Sequence, residues 1–112
     1  MKEEPTLLIQ FLGNNPTLRI IDFFIDNRTD YSKKEIIESL GMSKTTFYKV
    51  WKQLEKFKVM LPTRRYGKAQ LFKLNEGNAV VRKLMVLDFT LIKQSIPKQA
   101  EKISTARKLI EA

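Results

Sequence analysis

The sequence predicts a mainly α-helical fold with one small β-hairpin, and three observations carry that reading. Apolar residues recur at spacings of three and four along several separate stretches, as one face of a helix requires. Residues that cap helices, Asn15, Ser32, Ser43 and Asn78, stand just before those stretches. A single tract, "MLPTRRYGKAQLFKL", instead reads as two short strands folded about Gly67. The 112 residues are enough for one domain with a real core, and 43% apolar with 29% charged residues is a globular composition.

In chain order, "TLLIQFLG" fits a short helix or a strand ending at Gly13. Asn15 followed by Pro16 starts a helix whose Leu18, Ile21, Phe24 and Ile25 keep helical spacing as far as about Asn27. Ser32 and Glu35 form a capping box ahead of Ile36, Ile37 and Leu40, and Gly41 can close that helix in the left-handed conformation. Ser43 caps the next, which runs to about Phe57 across a turn of only about three residues. The hairpin follows, with Pro62 restricted to an edge. Asn78 caps a long helix from Ala79 to about Ser95, and Pro97 either kinks it or starts a last helix, "KQAEKISTARKLIEA".

Composition excludes several function classes. With neither Cys nor His, the chain lacks disulfides, the usual zinc ligands and the commonest neutral-pH general base. It carries no phosphate-binding glycine loop and no nucleophile beside a histidine, so neither an enzyme nor a cofactor is expected. Asp22 and Asp26 share a helix face but read as a solvated pair rather than a metal site. No run nears the roughly 18 apolar residues of a membrane span, and "MKEEPTLL" has no signal-peptide character. The expected location is the cytoplasm.

The net charge of +9 is unevenly placed. Residues 1–42 hold 5 basic and 7 acidic side chains, residues 43–73 hold 9 and 1, and residues 74–112 hold 7 and 4. Almost all the excess therefore falls in about thirty consecutive residues, the distribution expected of a polyanion-binding surface. Within it, at about 100° per residue, Thr45, Tyr48, Lys49, Lys52 and Lys56 share one side of a helix, and Phe47, Val50, Leu54 and Phe57 share the other. Trp51 lies at the edge of the apolar side, where it belongs to the core. One side anchors the helix; the other offers hydroxyls and ammonium groups in a row, which suits a DNA major groove.

"KKEIIESLGMSKTTFYKVWKQL" followed by "PTRRYGKAQLFKL" resembles the winged helix-turn-helix DNA-binding family, with Ile36, Leu40, Met42, Phe47 and Val50 in its apolar slots and Gly41 in the turn. Residues 7–78 resemble, more narrowly, small archaeal winged-helix transcription regulators. Two positions depart: Ile37 is bulky where many members are small, and Lys58 stands where Gly often ends the recognition helix. A left-handed Lys there would cost about 1 kcal/mol. The resemblance implies a recognition helix at 43–57 and a wing tip at 65–68. On that basis Thr45 and Lys49 are expected at base edges, with Ser43 and Thr46 beside them; Lys44, Tyr48 and Lys52 are expected on phosphates, and Arg64, Arg65 and Lys68 on the backbone from the wing.

The expected architecture is thus a winged helix-turn-helix at 1–77 with a C-terminal helical extension at 78–112. Apolar residues of the long helix form two stripes, Val80, Leu84, Leu87, Leu91 and Val81, Met85, Phe89, Ile92. Together they span some 180–200° of the circumference, broad for one contact. Val81, Leu84, Met85, Asp88, Phe89 and Ile92 are therefore expected at a homodimer interface that sets two recognition helices on successive major-groove turns; the alternative is that the last helix folds back over them. The expected function is a sequence-specific double-stranded DNA-binding transcription regulator with no evident small-molecule effector. A winged-helix protein-interaction module is the alternative, and it would need an apolar patch where the Thr and Lys row stands.

Overall fold

Each helix starts where a side chain can accept a hydrogen bond from its first turn. The computed structural model describes residues 5–96. Thr6 caps α1 (Leu7–Leu12), Asn15 caps α2 (Pro16–Asp26) with Pro16 leading, and Ser32 caps α3 (Lys33–Leu40) through the full capping box with Glu35. Ser43 caps α4 (Lys44–Lys56), and Asn78 caps α5 (Ala79–Gln94). The N-terminal segment that fitted helix or strand is thus a helix. The last predicted helix lies outside the described residues.

The predicted hairpin, β2 (Met60–Tyr66) and β3 (Ala69–Leu74), belongs to a three-stranded antiparallel sheet. Its third strand, β1 (Tyr31–Ser32), pairs with Leu71 and Phe72 of β3. Two residues are too few to show a period in sequence; the strand exists because β3 offers it an unpaired edge. Between Pro62 and Arg65 the register slips by one residue, a bulge that bends β2 outward toward the tip at Gly67, where φ is +64°.

One core unites the elements. Ile20, Ile21 and Phe24 of α2, Ile36 of α3, Phe47, Trp51 and Leu54 of α4, Val59, Met60 and Leu74 around the sheet, and Val81 of α5 are all buried together. Leu8, Ile9 and Leu18 form a second cluster covered by Leu87 and Leu91 of α5. Phe57, expected on the inner side of α4, is 61% exposed instead. It follows the last helical turn, where Leu54 and Val59 already close the core, so its ring stands outside against the Lys56 ammonium.

Two helix ends are closed by the same paired hydrogen bonds. After α3, the amides of Gly41 and Met42 bond to the carbonyls of Glu38 and Ile37 with Gly41 at φ +62°. After α4, Lys58 and Val59 bond to Glu55 and Leu54, and Lys58 itself takes φ +58°. Asn78 joins α4 to α5: its carbonyl oxygen accepts from the amides of Val80 and Val81, and its NH₂ donates to the carbonyls of Phe57 and Lys58. One side chain thereby satisfies the first turn of α5 and the two carbonyls just past the end of α4.

Asp22 corrects the expectation of a solvated pair. It is 7% exposed; one carboxylate oxygen accepts from the Thr6 hydroxyl at 2.9 Å, while the other is buried with no partner among the described residues. Burial pushes its pKa up, and the charges of Asp26 and Asp88 push the same way, against the Thr6 hydrogen bond. Asp88, 9% exposed, is also raised, first by burial and then by Asp26.

The long helix corrects the expected dimer surface. Val81 is fully buried in the main core, Leu84 and Met85 pack against it, and Asp88 faces inward. The inward face of α5 therefore draws on both predicted stripes, because its first half covers the main core and its second half covers α1. Of the six residues expected at an interface, Phe89 and Ile92 remain exposed, joined by Val80 and Val86 on α5, Ile96 just past its end, and Phe11 and Leu12 on α1.

Candidate nucleic-acid interface

The candidate surface begins with what fixes α4. Phe47 and Trp51, one turn apart, stack at 5.1 Å between ring centroids, and Trp51 meets Phe72 of β3 edge-on at the same distance. The Trp51 indole N–H donates to Glu55 at 3.0 Å, so the ring is held at both its apolar body and its polar handle. With that face seated, Ser43, Lys44, Thr45, Tyr48, Lys49 and Lys52 are exposed. Thr46 is half-buried, turned aside as its position on the helix requires. The Ser43 hydroxyl oxygen accepts from the Thr46 amide at 3.2 Å, so Ser43 serves first as the cap.

Tyr48 is 45% exposed. Its ring meets Phe47 edge-on at 5.3 Å, which leaves the ring standing at the rim of the outward row. The Lys33 ammonium, from the first residue of α3, lies 5.5 Å from the centroids of both Tyr48 and Phe72 and 5.7 Å from Trp51. A cation so placed is attracted by the ring faces. It occupies the seam between α4 and the sheet.

On the wing the three predicted cations differ in state. Arg64 donates from Nε and Nη2 to the two carboxylate oxygens of Asp30, at 2.9 and 3.2 Å, and the Thr63 hydroxyl adds a third bond at 2.6 Å. These bonds hold the Asp30 carboxyl down at about 2. The charge of Arg64 is thus already matched by Asp30. Arg65 reaches across the turn to the Lys68 carbonyl at 3.3 Å, which leaves its charge without a carboxylate partner among the described residues, and Lys68 is exposed at the tip. Tyr66, beside them, is also exposed.

The predicted residues therefore fall in two groups, the α4 row and the wing tip, with Arg64 set apart by its ion pair. Sequence reading passed over Asp30 and Lys33. Asp30 finds Arg64 across 34 positions, a separation no local pattern records. Lys33 gave no signal because its partners lie on α4 and β3.

No protein-family model and no curated protein matches the sequence. Solved structures do match the fold. MepR, a transcription regulator of the Staphylococcus aureus multidrug efflux pump MepA, superposes with a TM-score of 0.57 at 15% identity, over 93% of this chain and 80% of that one. A mutant MepR bound to an oligodeoxyribonucleotide gives 0.57 at 14%, over 94% and 80%. The PcaV transcriptional regulator from Streptomyces coelicolor, in complex with its natural ligand, gives 0.54 at 15%, over 95% and 83%. Likeness at such identity is of architecture, and the architecture is the winged helix: a helix-turn-helix on a three-stranded antiparallel sheet.

Proposed function

We propose that this chain is a sequence-specific double-stranded DNA-binding regulator of transcription that acts as a homodimer. The observation that carries this reading is the exposed row of Lys44, Thr45, Tyr48, Lys49 and Lys52 on α4, one helix face away from a buried anchor, in a chain that also carries a cationic wing tip. Thr45 and Lys49 meet base edges, where a hydroxyl and an ammonium can pair with acceptors in the major groove. Lys44, Lys52, Arg65 and Lys68 neutralise phosphates, which fixes register without reading sequence. The winged helix of the MepR mutant with its bound oligodeoxyribonucleotide supports the same use of the fold. The narrower resemblance to small archaeal regulators rests on sequence alone.

A protein-interaction role for the groove face would need apolar side chains where α4 presents hydroxyls and ammonium groups. On α4 the one exposed large apolar ring of that face is Tyr48, whereas α1 and α5 expose Phe11, Leu12, Val86, Phe89 and Ile92. That surface is where a second copy pairs.

Selection of bound duplexes from a random pool tests the whole reading. Enrichment of an inverted repeat is expected, with half-sites centred about 34–36 Å apart or a multiple of that. A pool that emerges without enrichment removes sequence-specific binding.

A further inference from the structure

Lys33 is a cation that neither the α4 row nor the wing accounts for. It is the first residue of α3, directly after β1, and its stem crosses from there to the seam where α4 meets β3. Three rings from two elements surround the ammonium, Tyr48 and Trp51 of α4 and Phe72 of β3, each at 5.5–5.7 Å. No carboxylate among the described residues pairs with it. Free lysines usually give up rotamer freedom when they take hold of a phosphate. Here ring faces already hold the cation without matching its charge, so it stays available to an anion at a fixed place.

That place is specific. Tyr48, whose ring forms one wall, stands one turn from both Lys44 and Lys52 on the outward row, so the Lys33 charge extends that row sideways toward the sheet. On the proposed reading of α4 as a groove-reading helix, the strand bordering the groove must pass the seam on its way to the wing. We propose that Lys33 is a further phosphate contact, preset by the Tyr48, Trp51 and Phe72 rings, which bridges the footprint of α4 to that of the wing. Because a phosphate carries no base identity, Lys33 adds affinity and register but no sequence preference.

The test uses the full chain and measures duplex affinity across salt concentration for the wild type, Lys33→Met and Lys33→Arg. Lys33→Met keeps the length and apolar stem and removes the charge. Losing one phosphate contact lowers the slope of log affinity against log salt by about 0.9. The wild-type advantage over Lys33→Met should therefore shrink by about 3.5-fold between about 50 and 200 mM salt. The loss should be equal on preferred and random duplexes, and Lys33→Arg should keep the wild-type slope. An unchanged slope in Lys33→Met, or a loss that is the same factor at every salt concentration and tracks a lowered melting temperature, overturns the proposal and leaves a merely bracing role. The wild-type measurement separates this from the wider reading: a wild type without salt-dependent duplex affinity removes DNA binding itself, whereas a steep wild-type slope shared by Lys33→Met removes Lys33 alone.

Discussion

On the proposed reading Lys49 and Arg65 carry the same charge but different tasks, and substitution separates them. Lys49 projects from the first half of α4, where a base edge is within reach, so Lys49→Ala should weaken preferred sites by about 1–3 kcal/mol more than random duplex. Arg65→Ala should weaken both alike and lower the salt slope by about 1. Titration of each variant against a preferred and a scrambled duplex checks this; equal losses on both sequences would disqualify Lys49 as a reader of bases. Asp22 poses a different problem, since a buried carboxylate oxygen without a partner works against folding. Its pKa is raised in the folded state, so the stability it allows is fully present below the unfolded value of 3.8 and is lost as pH rises through the folded value. Asp22→Asn keeps an acceptor for the Thr6 hydroxyl and removes the charge. It should stabilise the protein by about 1 kcal/mol at neutral pH, with the gain fading as pH falls toward 3.8, as denaturant melts at several pH values would reveal.

Elements differ in how much of them can be read in advance, and the difference follows the range of the interactions that make them. Helices α2 to α5 were legible because Asn15, Ser32, Ser43 and Asn78 act on backbone groups within three residues. The hairpin was legible because Gly67 sets its turn locally. β1 was not, since Tyr31 and Ser32 become a strand only against Phe72 and Leu71 some forty positions later. The α4 row was legible from one helical period, while the pairing of Arg64 with Asp30 and the seating of Lys33 depend on contacts across the fold. The end of α4 combines both ranges. Lys58 holds φ +58° against its own side chain because Val59 must enter the core and the amides of Asn75 and Asn78 clamp the Lys58 carbonyl. A glycine would take that conformation without the clash of a Cβ but would lose more entropy on folding. The balance predicts that Lys58→Gly stabilises by about 0.5 kcal/mol, a rise of about 2–4 °C in melting temperature. A calorimetric scan that shows a lower melting temperature would mean that the Lys58 stem contributes more than its backbone costs.

For the molecule as a whole, the question is how a single short row of side chains selects a site among many. One α4 reaches only a few base pairs, each worth about 1–3 kcal/mol of discrimination, and a single module has little surface with which to add more. Two copies joined rigidly double the read sequence and make the second contact intramolecular. On the proposed reading such pairing uses the exposed faces of α1 and α5. α1 packs on α5 through Leu8, Ile9, Leu87 and Leu91, and the outer sides of the same two helices carry Phe11, Leu12, Phe89 and Ile92. Phe89, 57% exposed, offers a ring whose burial against a partner would remove a large apolar surface from water. A charge there opposes pairing without entering the chain's own core, so Phe89→Glu should leave the fold and its melting curve intact while halving the mass in solution. Light scattering should give twice 13.1 kDa for the wild type at tens of micromolar and 13.1 kDa for the variant. The variant should also bind a single half-site almost as well as the wild type does, yet lose most of its advantage on an inverted repeat. A wild type that remains at 13.1 kDa under those conditions would leave the apolar outer faces of α1 and α5 without a second copy to cover them, and α4 would then have to find its site alone.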